Sequence, residues 1–234
     1  MEVRAGFERW AVFEKARAAN RMRHAEAGEA LAAVLDAWNG KAPRILDLGC
    51  GDARDMARVL AGRAVAAYTG VDDNPEVLAQ ADRSLGRAGC PFRLVQGDYA
   101  KALQAPDASL DLVWAGLFLH HLDEPRKRAL FESLAGLLAP GGLFVAHDPV
   151  RMPGETKPEF IRRLLEDCRD RWTELAPEEK EILYRHWGGG HGHAVEIAHL
   201  EGLAREAGFA GLDILWADPE RFYAVMAFRR GGGS

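Results

Sequence analysis

The chain has 234 residues, 48% hydrophobic and 28% charged, enough for one α/β domain with a buried core and room for an insertion. No uncharged apolar run approaches the roughly 18 residues that span a bilayer, so a soluble protein with no membrane partner is expected. A formal charge of -5 leaves no global basic field for a polyphosphate, which counts against a nucleic-acid partner without excluding a local patch.

In chain order, the start Met1-Glu2-Val3-Arg4 lacks the basic-then-apolar layout of a signal peptide. From Phe7 to Trp38, Ala, Glu and Arg dominate, and Leu31, Val34, Leu35 and Trp38 recur at helical spacing, predicting one or two leading helices. Arg44–Leu48 reads as a short buried strand, Gly49–Ala53 as the turn out of it, and Arg54–Leu60 as a helix. Further strands are predicted at Ala66–Val71, Phe92–Val95, Leu110–Trp114 and Leu143–Ala146, with helical patterns near 75–88 and 124–138 between them. Strands that alternate with helices imply right-handed crossovers and a parallel sheet, a Rossmann-like α/β fold with helices on both faces.

Between Arg151 and Arg185 the pattern changes, with 17 charged residues in 35 and Phe160, Ile161, Leu164, Leu165, Cys168 and Trp172 on one helical face. We read 150–195 as a helical insertion, with Arg162, Arg163, Arg169 and Arg171 on a solvated face beside Glu166, Asp167 and Asp170. A helix near 195–207 precedes two strands, Gly211–Trp216 and Phe222–Phe228, whose short link requires an antiparallel pair. Residues 1–230 are thus expected to form one domain, with a helical cover at 1–40 and a flexible tail at 231–234. Three separated cysteines, Cys50, Cys90 and Cys168, form no disulfide framework and no CxxC knuckle, so a cytoplasmic setting is expected, and a homodimer stays open.

Gly49 and Gly51 sit where a buried strand gives way to a helix, and without a Cβ they let the backbone pass close beneath a ligand. Asp72, about 20 residues on at the end of the second strand, suits a ribose, with Asp73 beside it as the alternative. A dinucleotide fingerprint requires a third glycine where Arg54 stands, and therefore fails. Here Asp47-Leu-Gly49-Cys50-Gly51 resembles the first motif of the class I S-adenosylmethionine-dependent methyltransferases of the small-molecule type. The next small position of that motif is Ala53 instead of glycine, which should tighten the loop. The resemblance extends over about residues 40 to 150, through Gln96-Gly97-Asp98-Tyr99, Leu119-His120-His121-Leu122 and Leu138-Ala-Pro-Gly-Gly-Leu-Phe-Val145. It implies a seven-stranded sheet with an antiparallel last strand and S-adenosylmethionine as cofactor. It further implies that Asp47 organises the glycine loop with Cys50 in it, and that Asp98 and Tyr99 meet the adenine edge.

Methyl transfer needs alignment and, for an acceptor of high pKa, a base. His147, His121 and His191 are the candidate bases, and His120, Asp148, His186 and His193 are candidate substrate contacts beyond the strand ends. Trp10 and Arg21, with Phe7, Phe13, Met22, Arg23 and His24, can cover the cofactor or hold an acidic substrate; for the aromatics ordinary helix packing explains the pattern as well. His147 is read equally as a strand-end hydrogen bond, the His120-His121 pair as packing near the cofactor, and the Gly188–Gly192 run as a lid edge or a solvent loop. A metal held by His191 and His193 with His147 or His186 lacks any fixed ligand spacing, so none is expected. The function expected is methyl transfer to an O or N atom of a small metabolite. The alternatives are methylation of RNA, DNA or protein, for which no Asn/Asp-Pro-Pro-Tyr/Phe or Pro-Cys signature is present, or a silent cofactor-binding regulatory module.

Overall fold

The computed structural model describes residues 11–103, 110–188 and 192–232. The chain begins with α1 (described over 11–18) and α2 (His24–Asp36), followed by β1 (Arg44–Leu48), α3 (Arg54–Leu60), β2 (Ala67–Asp72) and α4 (Pro75–Leu85). Next come β3 (Phe92–Gln96), α5 (Tyr99–Ala102), β4 (Leu110–Gly116), a 3-10 turn (Leu119–His121), α6 (Glu124–Leu137) and β5 (Leu138–Arg151). The insertion supplies α7 (Lys157–Arg171) and α8 (Pro177–Gly188), and β6 (Val195–Glu196), α9 (Ile197–Glu206), β7 (Phe209–Ala217) and β8 (Tyr223–Arg230) follow. Helix starts are set by side chains: Asn74 accepts from Glu76 N, Asp123 from Arg126 N, and Thr156 and Glu159 form a reciprocal capping box.

The sheet runs β3-β2-β1-β4-β5-β8-β7, with β6 paired to the far end of β5. The first five strands are parallel, and β8 is antiparallel to both β5 and β7. The mostly parallel sheet and the antiparallel terminal pair are as expected. The strand β5 is longer than the predicted four residues, reaching back to Leu138 and on to Arg151. Its alternation feeds two cores: Phe144 and Ala146 pack with Phe131 and Phe228 on one face, while Leu143 and Val145 join Tyr68, Leu60 and Leu31 on the other.

A third core forms where Val12 and Ala16 of α1 meet Phe160, Leu164 and Cys168 of α7 and Leu183 of α8. The leading cover and the insertion therefore share one apolar seam over the sheet's carboxyl edge. Ion pairs stitch its rim, with Arg21 bidentate on Glu174 at 2.9 and 2.8 Å and Lys15 on Glu179 at 2.5 Å. Most of the insertion's arginines lie in solvent beside acids, but Arg163 does not. Its guanidinium holds the buried Glu155 carboxylate at 2.8 and 3.0 Å and lies 4.2 Å above the Phe222 ring, fixing the insertion to the terminal hairpin. Among the described residues no helix is long and apolar enough to cross a membrane.

Candidate active site

The first strand delivers the glycine turn. Gly49 and Gly51 have φ of +68° and +53°, and a Cβ on Gly49 would lie 2.9 Å from Phe118 Cδ2, so only glycine fits there. Ala53, where the motif prefers glycine, is held at φ +49°, so the turn keeps its left-handed shape at a strain cost in place of changing course. Cys50 N donates to Val71 O at 3.0 Å, and Gly51 N to Asp72 Oδ2 at 3.0 Å, which locks the turn to the end of β2. The other Asp72 oxygen accepts from Asn74 N at 3.0 Å, while Asp73 is exposed. Gly97 N donates to Asp72 O at 3.0 Å, bringing the start of α5 beside it, and there Asp98 caps Ala100 N at 2.8 Å while Tyr99 stacks edge-on against Phe118.

Beneath the turn, Asp47 is buried and takes a 2.6 Å hydrogen bond from the Tyr68 hydroxyl. Burial pushes its carboxyl up to about 7 against that hydrogen bond, and the neighbouring Asp72 carboxylate adds to the push. The arrangement is an acid placed for a cationic partner.

A cavity of about 700 Å³ opens at the carboxyl ends of β1, β4 and β5, roofed by α1, α7 and α8. Asp47, Gly49, Cys50 and Gly51 line one end of it, and five histidines line the rest: His24, His120, His121, His147 and His186. Leu117 is forced to φ +52° there, with its N–H donating to His147 O at 2.7 Å, a strained position for a branched side chain at the cavity wall. His120 Nδ1 lies 2.9 Å from Oδ1 of the buried Asp148. His121 and His147 are both pushed down to about 3, chiefly by burial and then by neighbouring imidazoles, so both are neutral near pH 7. Arg17 of the cover binds Asp52 at 3.1 Å and Asp55 at 2.7 Å, fastening α1 to the glycine turn.

Not every candidate reaches the cavity. Asp72, Asp73, Asp98 and Tyr99 lie along the strand ends beyond it, and Arg21 is spent on Glu174. His193 is absent from the lining; its N–H donates to His120 O at 2.7 Å and its carbonyl accepts from Lys127 Nζ at 2.8 Å. Trp10 and His191 lie outside the described residues. Among those described, no three His, Cys, Asp or Glu side chains are grouped to hold a metal ion. Sequence reasoning missed the roles of Arg17, Asp52 and Asp55; for the two acids the signal is the charged run straight after the glycine turn.

Residues 45–142 match the family model described as a methyltransferase domain. The chain is 31% identical over 132 residues to 27-O-demethylrifamycin SV methyltransferase of Amycolatopsis mediterranei, covering 53% of this chain and 47% of that one. It is 34% identical over 121 residues to trans-aconitate 2-methyltransferase of Methylobacterium nodulans, covering 52% and 43% respectively. Residues 45–142 thus carry a methyltransferase domain of the class I S-adenosylmethionine-dependent type. It spans about half the length of the curated relatives it matches. An O-methyltransferase family protein from Burkholderia thailandensis has the same fold, with a TM-score of 0.61 at 19% identity over 87% of this chain and 56% of that one. The chain has its glycine turn, acidic strand ends and His-lined cavity on the carboxyl edge of the sheet, where open α/β folds place their ligands.

Proposed function

We propose that this methyltransferase moves a methyl group from S-adenosylmethionine to an oxygen or nitrogen of a small molecule held in the cavity, with His120 as the base. The residues fit the cofactor. Asp47 is a buried acid whose hydrogen bond among the described residues comes from a neutral hydroxyl, and the cofactor's cationic methionine end is the partner it suits. Asp72 would accept the ribose hydroxyls through its remaining lone pairs, and Asp98 and Tyr99 would meet the adenine edge. When bound, S-adenosylmethionine supplies a methyl group on a sulfonium, with a neutral thioether as leaving group.

The observation that carries the assignment of the base is the bond from His120 to Asp148. A carboxylate on Nδ1 keeps the proton there, orients the ring and leaves Nε2 as a lone pair for the acceptor's proton. His120 lines the cavity and Asp148 stands behind it, the order expected of a base and its positioning residue. His147 and His121, expected as bases, are held too acidic to take a proton readily near pH 7.

The test is release of S-adenosylhomocysteine across a panel of hydroxyl- and amine-bearing small molecules, with His120→Gln and Asp148→Asn alongside the wild type. Turnover on an accepted substrate should fall about 100-fold or more in His120→Gln with cofactor affinity unchanged. Full turnover in that variant would refute the assignment of the base. Cofactor binding with no turnover on any small molecule would leave a cofactor-binding module or a macromolecular acceptor.

A further inference from the structure

His24 and His147 enter the cavity from opposite sides, His24 from the first turn of α2 and His147 from β5. Their rings are 5.9 Å apart and inclined at 72°. In each, the Nε2 atom is buried and has no hydrogen-bond partner among the described residues. The other side of each ring faces an acceptor: His24 Nδ1 lies 3.5 Å from Asp55 Oδ2, and His147 donates to the Met22 carbonyl. His147 therefore carries its proton on Nδ1 and presents Nε2 as a bare lone pair, while the His24 Nε2 is a buried polar atom with no partner among the described residues. An unpaired buried polar atom costs about 1–3 kcal/mol, and two in one cavity are what a hydroxyl-bearing ligand would satisfy.

The rest of the lining limits what else that ligand carries. Met22, Leu31, Met56, Trp114 and Tyr223 present apolar surface. The charged lining is Glu14, Asp47, Asp52 and Asp55 against Arg17, Arg54 and Lys157. Arg17 and Arg54 are already held on those carboxylates, at 2.7 Å on Asp55 and 2.9 Å on Asp52. With both arginines held on acids, neither guanidinium is left to receive a polycarboxylate.

We infer that the methyl acceptor is an uncharged, partly apolar compound with several hydroxyls: one faces His120, and another hydrogen-bonds Nε2 of His24 or His147. Polycarboxylates are excluded. The inference rests on the methyl-transfer reading of this cavity, and the experiment separates the two. The full chain is first titrated with S-adenosylhomocysteine. The saturated complex is then titrated with phloroglucinol, with mesitylene as a ring of similar size lacking O–H donors, and with tricarballylate.

Phloroglucinol should bind at least about tenfold more tightly than either comparator. His147→Asn keeps a donor for the Met22 carbonyl and deletes one Nε2, and His24→Phe removes the other. At least one of the two should lose about tenfold in phloroglucinol affinity. No binding of phloroglucinol at millimolar concentration, equal binding of mesitylene, or tighter binding of tricarballylate overturns the inference, as does unchanged affinity in both variants. Should a variant fail to fold, the wild-type comparison of the three probes decides alone. Failure of S-adenosylhomocysteine to bind would instead overturn the reading on which the inference rests.

Discussion

Asp47 allows a sharp test, because its burial works against the folded chain until a cation arrives. Its carboxyl titrates near 7 in the fold against 3.8 when free, about three pH units, each worth about 1.4 kcal/mol. The folded state therefore holds a proton that the unfolded chain has released throughout that window, and the contribution of Asp47 to stability falls as pH rises from 3.8 to 7, by about 4 kcal/mol. Asp47→Asn escapes this penalty. Its amide oxygen still accepts the Tyr68 hydroxyl, but its NH₂ group finds no acceptor, which costs about 1–3 kcal/mol at every pH. Above neutral pH the variant should then be about 1–3 kcal/mol more stable than wild type, a gain of about 2–4 °C in Tm per kcal/mol for a chain of this size. The pH dependence is cleaner than the offset, since the amide cost cancels: between pH about 5 and about 8 the gap should widen by about 3 kcal/mol. Urea titrations of both proteins at the two pH values, without ligand, measure it. S-adenosylmethionine affinity should move the other way, falling about tenfold or more as the buried acid is lost. A stability gap of the same size at both pH values would refute the claim that burial holds this carboxyl near neutrality.

Other regions of the molecule give equally direct expectations. His121 and His147 are neutral in the fold down to about 3 but take up protons near 6.5 once unfolded, so their contribution to stability is present above 6.5 and lost as pH falls below it. Together they outweigh the opposite slope of Asp47, and urea midpoints should drop on acidification through that range, less steeply in His147→Asn. Lys127→Met should cost about 1–3 kcal/mol and raise amide exchange over residues 193–196, because its buried ammonium serves the Leu122 and His193 carbonyls; unchanged exchange would count against it as the tie between α6 and β6. Arg163→Met should cost about 3 kcal/mol by stranding the buried Glu155 carboxylate, whereas Arg162→Ala, on the solvated face, should stay within about 0.5 kcal/mol in the same denaturation assay.

These contrasts mark where sequence patterns carry information and where they stop. The glycine turn, the acids at the ends of β1 and β2 and the terminal hairpin were legible because each is local: a turn needs glycine at fixed offsets, and a short link admits only an antiparallel pair. The reach of β5 was not, since Pro140, Gly141 and Gly142 carry turn chemistry while the backbone around them still pairs, Leu138 with Leu110. Arg163 looks like its neighbours in sequence, and only the return of the terminal hairpin beneath α7 turns it inward. The partnership of His120 with Asp148 was likewise hidden. Both were named as substrate contacts, but their bond depends on Gly116 of β4 standing level with His147 of β5, a register that no local pattern encodes.

The same register links recognition to the proposed proton transfer. Within β5, successive side chains point to opposite faces, so His147 and Asp148 separate: one ring turns toward His24 and the cover, and the carboxylate turns toward His120. In the proposed reading one dipeptide serves two tasks, presenting a lone pair to a ligand and holding the base. His193 closes the arrangement from the insertion side, its N–H on the His120 carbonyl and its own carbonyl on Lys127, so the backbone of the base is fixed by β6 and α6 together. The cover is fixed just as firmly at the other end by Arg17 on Asp52 and Asp55. The cover and the insertion are also joined to each other, by the buried core that Val12 and Ala16 share with α7 and α8 and by Arg21 on Glu174.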